Sequence, residues 1–444
     1  MTGRAWAPFD AARLSSRTRD LHDAIDAHAR RAGVAWLHPD EPTIQQDLLG
    51  GDAMIAWQEA KSAAVWAGER CWSELPPVYA RYGTRGSGAL IAGLRGVYGA
   101  NAAVVVDSGM QAVGALADAW LGPGARVVLV GQVYNKTRSL LSWACGRLGG
   151  GVIEVGHGDL DRLDAALDGD VAMVFWEHAT NPLLRVHDAG AMITRIRARS
   201  SARIAVDDTI CTAWGPRVGL LQAGADVVLG AGTKALSGDD TALWGYLVAD
   251  QPALLNPVMD VVAMRGGALD GARAARIAAG LEAAGPRFAA RCASADHVAA
   301  WLAAHPAVER VWHPSLADHP DHAVAARDLA RCGSLMSFRV RGLDDDGHRH
   351  LADVIAMTGV IRYALSFDGL VTKVNHHTTV SEYFTPPPAL RRQGLDRLIR
   401  LGIGVEHPDD LVACLGWALE VAPSVSRADV AAWAAARGAA LGLG

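Results

Sequence analysis

Ile204-Ala205-Val206-Asp207-Asp208-Thr209, and after it Asp226-Val227-Val228-Leu229-Gly230-Ala231-Gly232-Thr233-Lys234, decide how this chain folds. Each is a short run of apolar, β-favouring residues that breaks into a polar or glycine-rich turn, the pattern of a strand buried on both faces. The same texture recurs on either side. Strands are expected at 103–106, 126–130, 152–155, 171–176, 203–206, 226–229 and 243–248, with helical periods at 111–121, 135–148, 160–167 and 189–199. Such alternation predicts an α/β domain on a mostly parallel seven-stranded sheet covered by helices on both faces. Ligands on such sheets sit in the loops at the carboxyl ends of the strands, and the chemistry is to be sought there.

Outside this region the pattern differs. Residues 9–33 read as a polar amphipathic helix and 45–67 as a second helical stretch, neither with a motif, which fits a surface or dimer-clasping segment. After 251 come an Ala-rich helix at 267–284, strands at 335–340, 361–367 and 398–403, a helix from Pro408 through Leu419, and a last helix at 427–440. This predicts a smaller C-terminal α+β domain closing over the first. The run Pro386-Pro387-Pro388 reads as a local loop. The expected division is an N-terminal helical, oligomer-contact segment at 1–70, a large α/β domain at 71–255 and the small domain at 256–444.

A chain of 444 residues that is 50% hydrophobic has ample material for such cores. The formal charge of -5 gives no basic face for nucleic acid, and no apolar run reaches the length of a membrane span. Cys71, Cys145, Cys211, Cys292, Cys332 and Cys414 are scattered, with neither a disulfide framework nor zinc-site spacing. Met1 to Asp10 lacks the apolar stretch of a secretory signal. A cytoplasmic protein without nucleic-acid or membrane partners is expected.

The strand ending in Asp207-Asp208 puts at least one carboxylate at the ligand edge of the sheet. Such a pair suits a metal, or a protonated pyridine nitrogen of the kind pyridoxal 5'-phosphate (PLP) uses as an electron sink. The next strand runs into Gly230-Ala231-Gly232-Thr233-Lys234, where a lysine on a Gly/Thr turn suits a Schiff base and the backbone and hydroxyl are free to meet a phosphate. Val104-Val105-Val106 leads into Asp107-Ser108-Gly109-Met110 and a helix, so backbone N–H groups there form an anion site. Each piece alone is weak. Their order along the chain makes them one signal.

From about Tyr79 to Leu415 the chain resembles the cystathionine synthase/lyase and methionine γ-lyase family, PLP-dependent enzymes of cysteine and methionine metabolism with the PLP-dependent transferase fold type I. Tyr79-Ala80-Arg81-Tyr82-Gly83 is similar to its Tyr-x-Arg segment, Ser108-Gly109-Met110 to its phosphate turn, and Glu177-His178-Ala179-Thr180-Asn181-Pro182 to its Glu-x-Pro-Thr-Asn-Pro loop. The resemblance implies that Lys234 carries the cofactor and that Asp207 meets the pyridine nitrogen. It implies that Tyr134 stacks on the ring, Asn181 lies near the phenolic oxygen, and Ser108, Gly109, Met110 and Thr233 hold the phosphate. Tyr79 and Arg81 then reach the phosphate of a neighbouring subunit, so a homodimer is the catalytic unit, usually within a homotetramer. Arg400 matches the arginine that grips the substrate carboxylate, and Ser366 the substrate-side serine before it.

The sequence departs from that family at several positions. Ala231 stands where a phosphate-binding serine is usual, and Asp208 where asparagine is. Ser366-Phe367-Asp368-Gly369 replaces a Ser-Leu-Gly-Gly type segment and is followed by Lys373, His376 and His377, while Thr84-Arg85-Gly86 replaces Asn-Pro-Thr. Asp318-His319-Pro320-Asp321-His322 and His348-Arg349-His350 look like metal ligands but are expected to be solvated loops, so no metal is expected. Trp176, Trp214 and Trp244 are candidates to border the site. The implied reaction is γ-elimination or γ-replacement on an amino acid with a γ leaving group: a homoserine ester, cystathionine, methionine, or a halogenated or unsaturated analogue. β-Elimination on cysteine or cystathionine, and a catalytically silent PLP-binding regulator, are the alternatives.

Overall fold

The computed structural model describes residues 51–68, 70–72, 75 and 79–440. The helix expected at 9–33 lies outside the described residues. The second expected stretch forms α1 (Gly51–Ala67), which a single-turn 3-10 helix (Ala80–Tyr82) and α2 (Arg85–Tyr98) follow. Then come β1 (Ala102–Val106), α3 (Gly109–Trp120), β2 (Arg126–Val130), α4 (Asn135–Arg147), β3 (Gly151–Val155), α5 (Leu160–Leu167) and β4 (Met173–Glu177). The chain continues through α6 (Ala189–Arg199), β5 (Arg203–Asp207), β6 (Val227–Gly230), β7 (Gly245–Ala249), α7 (Pro252–Arg265) and α8 (Gly271–Ala304). The second half holds β8 (Val308–Trp312), α9 (His322–Asp328), β9 (Leu335–Val340), α10 (Asp345–Ala356), β10 (Arg362–Tyr363) and β11 (Lys373–His376). It ends with α11 (His377–Ser381), α12 (Pro387–Gln393), β12 (Ile399–Gly402), α13 (Pro408–Val421) and α14 (Arg427–Ala440). No described helix is long and apolar enough to cross a membrane.

The first sheet has seven strands in the order β1-β7-β6-β5-β4-β2-β3. The pairs from β3 through β6 are parallel, and β7 runs against both β6 and β1. Six strands therefore end on the same edge. The near-continuous apolar runs reflect two cores rather than one. Ala103 and Val105 of β1, with Ile204 and Val206 of β5, enter one cluster; Val104, Val106 and Ala205 enter the other on the opposite face. The second sheet, β10-β11-β12-β9-β8, is antiparallel apart from the β10–β11 edge and has its own core under α10 and α13.

α8 joins these bodies. Its first half contributes Ala274, Ile277, Leu281 and Ala284 to the first core, and its last turns contribute Ala295, Val298, Ala299 and Leu302 to the third. The helix expected at 267–284 is thus much longer. Pro286 does not end it, because the buried positions continue at helical spacing through Phe288, Cys292 and Ala295 and packing outweighs one lost backbone bond.

Other differences have local causes. The strand expected at 361–367 shrinks to Arg362–Tyr363, because the Asn375 side chain takes the Ala364 carbonyl at 2.7 Å and Phe367 turns inward. Pro386 does not sit in a plain loop but precedes α12, whose opening prolines forgo N–H groups that a first helical turn leaves unpaired anyway. The histidine-rich stretches are not solvated loops either. His319, Asp321 and His348 are buried; His319 meets the Leu183 carbonyl, Asp321 pairs with Arg185, and His348 accepts from the Val340 N–H. Trp176 and Trp244 are fully buried in the core.

α2 crosses α8 at a point where only glycine fits: a Cβ on Gly86 would stand 2.2 Å from the Gly271 carbonyl oxygen. Gly86→Ala should therefore cost about 1–3 kcal/mol, read as a lowered urea midpoint. An unchanged midpoint would refute this close approach.

Candidate active site

The carboxyl ends of the parallel strands supply most of the expected residues. Asp207 is the last residue of β5 and lies beside Glu177, the last residue of β4. Beyond β1, Ser108 caps α3 by accepting the Gln111 N–H, which leaves the Gly109 and Met110 N–H groups in the unpaired first turn. Tyr134 precedes α4, half-exposed, and its own N–H is held by Glu177 Oε1 at 2.5 Å. Lys234 lies on the turn after β6.

That turn is pressed onto the start of α3. A Cβ on Gly109 would fall 2.8 Å from the Ala231 Cβ, and one on Gly245 would fall 2.3 Å from the Ser108 carbonyl oxygen. The glycine of the Ser-Gly-Met turn is thus required for contact with the lysine turn. The Thr233 hydroxyl accepts from the Trp244 N–H at 2.9 Å and donates to the Trp244 carbonyl at 3.1 Å, which ties its proton to β7.

The second sheet supplies the opposite wall. Arg400, on β12, is buried, and its guanidinium donates to Asn181 Oδ1 at 3.1 Å and to the Leu365 carbonyl at 2.8 Å. Lys234 Nζ donates a short hydrogen bond to the Ser366 hydroxyl. The Phe367 ring lies under both cations, 4.5 Å from Lys234 Nζ and 5.3 Å from the Arg400 guanidinium. Lys234, Arg400, Asn181 and Ser366 are thus brought together. Tyr79 and Arg81 are exposed and contact one another, apart from this group among the described residues.

Burial decides the electrostatics. It holds the Lys234 amine down to about 8, with the Arg400 charge adding to the effect and Asp368 opposing it. It also lowers Arg400, to about 10, which leaves the guanidinium charged. Asp207 is pushed above the usual carboxylate range by burial, against the pull of Thr209, whose N–H and hydroxyl both donate to Oδ1 at 2.9 and 2.6 Å. Glu177 is raised strongly by burial and then by Asp207. Asp208 is also raised by burial; its carboxylate is hydrogen bonded to His178 Nδ1 at 3.1 Å.

A PLP molecule fits this donor set. Among the described residues Asp207 has no cationic partner, and one of its oxygens already carries two hydrogen bonds, so the other is left for a protonated ring nitrogen. The open N–H groups of α3 suit a phosphate, and the neighbouring lysine has a lowered amine. Sequence reading missed Glu177 as the anchor of Tyr134 and Phe367 as the platform for both cations. The hydrogen bond from a backbone N–H to a side chain far along the chain leaves no sequence signal.

The pattern of one family, described as Cys/Met metabolism PLP-dependent enzyme, matches residues 70–420. An O-succinylhomoserine sulfhydrylase of Pseudomonas aeruginosa is 31% identical over 407 residues, covering 91% of this chain and 97% of that one. An L-methionine gamma-lyase of Pseudomonas putida is 28% identical over 361 residues, covering 81% and 88%. A crystal structure of cystathionine gamma synthase from Xanthomonas oryzae pv. oryzae, in complex with cystathionine, superposes with a TM-score of 0.77 at 25% identity, covering 90% of this chain and 98% of that one.

The raised Asp207 has a consequence for stability. A carboxyl whose folded pKa exceeds its unfolded value stabilises the fold below the unfolded pKa, and that contribution is lost as pH rises through the folded one. In the cofactor-free chain, Asp207→Asn should match the parent near pH 4 and exceed it by on the order of 1–2 kcal/mol at pH 8. Denaturant titrations at the two pH values check this; a constant offset would mean that the carboxyl is not perturbed.

Proposed function

The chain belongs to the Cys/Met metabolism PLP-dependent enzymes, and from that premise we propose that it eliminates or replaces the γ substituent of an amino acid. The observation that carries the reading is the meeting of Lys234 and Arg400 over Phe367, opposite the buried carboxyl of Asp207. A proton-accepting amine and a carboxylate clamp then face one substrate. When bound, PLP supplies the electron sink that makes the Cα and Cβ protons removable.

The residues divide the remaining work. Arg400 binds the substrate α-carboxylate through its two terminal nitrogens and so fixes which Cα bond faces the lysine. That exchange displaces its present contacts with Asn181 and Leu365 and frees Asn181 to meet the cofactor's phenolic oxygen. Lys234 takes the proton at Cα and then at Cβ; an amine held down to about 8 is a competent base near neutrality. Ser366, which accepts from Lys234, aims that amine. With the cofactor bound, Asp207 would keep the ring nitrogen protonated, and Ser108, Gly109 and Met110 would hold the phosphate, joined by Thr233 once its hydroxyl leaves the Trp244 carbonyl. Tyr134 would lie against the ring, with its phenol serving the incoming amine or the departing γ group.

The same reading assigns a homodimeric catalytic unit within a homotetramer, in which the exposed Tyr79 and Arg81 face the neighbouring subunit's phosphate, and a cytoplasmic location. It takes 1–70 as an oligomer-contact segment, 71–255 as the PLP-binding domain and 256–444 as the small domain.

Incubation with O-acetylhomoserine, O-succinylhomoserine, methionine, cystathionine and cysteine, with detection of the 2-oxo acid and the released group, tests the reaction. From γ-substituted substrates we expect the four-carbon oxo acid with ammonia and the released group, or, with a thiol added, an amino acid that carries the thiol at Cγ in place of that group. Pyruvate from cysteine or cystathionine alone would overturn it in favour of β-elimination. Borohydride should fix the cofactor on Lys234. Arg400→Ala should raise KM by about tenfold or more while the bound cofactor spectrum stays unchanged.

A further inference from the structure

We propose that Asp368 is a positioning residue for Lys234, the centre of a buried charge network that pins the lysine turn to the Ser366 segment and sets the charge beside the amine. The inference rests on Lys234 being the cofactor lysine.

Asp368 is buried at 2% exposure and has a φ of 60°, the left-handed region that favours glycine. It occupies a position where the family resemblance leads one to expect glycine. An aspartate retained in a glycine conformation points to a use for its carboxylate. That carboxylate accepts a short hydrogen bond from Ser334 and lies 3.9 Å from the guanidinium of Arg291, which is wholly buried. The Asp368 carbonyl accepts from Lys373 Nζ at 2.5 Å, and the same ammonium pairs with Asp240 Oδ1 at 2.5 Å. Asp240 lies on the loop beyond Lys234 and also has a φ of 60°.

Arg291 joins both sides of the site. From α8 it donates to the Ala235 carbonyl at 2.8 Å, next to Lys234, and to the Gly369 carbonyl at 3.4 Å, next to Asp368. Glycines make the room. A Cβ on Gly238 would stand within 2.7 Å of three guanidinium atoms, and one on Gly369 would stand 2.0 Å from Asp240 Oδ2 and 2.8 Å from Lys373 Nζ. Two aspartates thus offset the charges of Arg291 and Lys373, and Phe367, the residue before Asp368, is left carrying Lys234 and Arg400.

The charged groups facing Lys234 are Arg400, Asp368, Lys373 and Asp240; Tyr134 and Tyr363 face Arg400 behind them. The two aspartates hold the amine up and the two cations hold it down. The variants therefore have opposite signs. In the cofactor-free full-length chain, the pH midpoint of Lys234 reactivity toward trinitrobenzenesulfonate is measured by mapping the modified peptide. Asp368→Asn should move that midpoint down and Lys373→Met should move it up, each by about half a unit or more.

Midpoints that stay put, or that move in the same direction, overturn the proposal even if the variants lose thermal stability, since a packing role predicts no such pair of shifts. If Asp368→Asn fails to fold, the exposed Asp240→Asn carries the same downward expectation. Borohydride labelling of the cofactor-loaded parent chain separates the two readings. A label elsewhere than Lys234 removes the functional reading, whereas the midpoints judge the network by themselves.

Discussion

Two cations held over one aromatic ring in a buried cleft set the terms for this molecule. A lysine and an arginine repel each other there and have lost much of their water, so the enclosure is tolerable only because of what surrounds it. Phe367 offers both of them its π-face, Ser366 and Asn181 accept their hydrogen bonds, and buried Asp368 offsets part of their charge. The strain is useful. An amine that is reluctant to hold its proton is a base, and a guanidinium short of partners is a receptor for a carboxylate.

The acids at the strand ends follow the converse rule. Asp207, Asp208 and Glu177 are all raised by burial, and each has a distinct neighbour: Thr209, His178 and the Tyr134 backbone. Asp207 ends its strand with both Thr209 bonds on one oxygen. The site therefore presents opposite unmet demands, a buried carboxyl seeking a cation and a buried guanidinium seeking an anion. A protonated pyridine and a substrate carboxylate would together meet both.

α8 makes that geometry rigid. One helix contributes to the cores of both sheets and carries Arg291 between the lysine turn and the Ser366 segment, so the parts of the chain that bring Lys234 and Arg400 together are joined by a packed element and not by loops alone. The left-handed aspartates and the crowded glycines lie around that guanidinium, which is where local preference has yielded to electrostatics.

Apolar runs and their turns determined the first sheet almost residue by residue, because a strand buried on both faces has to be apolar throughout. The order Ser108, Asp207, Lys234 was legible for the same reason: in a parallel sheet, the ends of successive strands lie on one edge. Membership of the PLP family followed from those turns together with Arg400. Tertiary structure alone decided how the second sheet's Arg400 meets Lys234 over Phe367. The length of α8 past Pro286, the loss of strand at Ser366 and the tie between Arg291 and Asp368 all depend on contacts between residues distant along the chain. Periodicity records which face of an element is buried. It carries no record of which charged group from elsewhere will share that burial, as Arg400 shares it with Lys234 here.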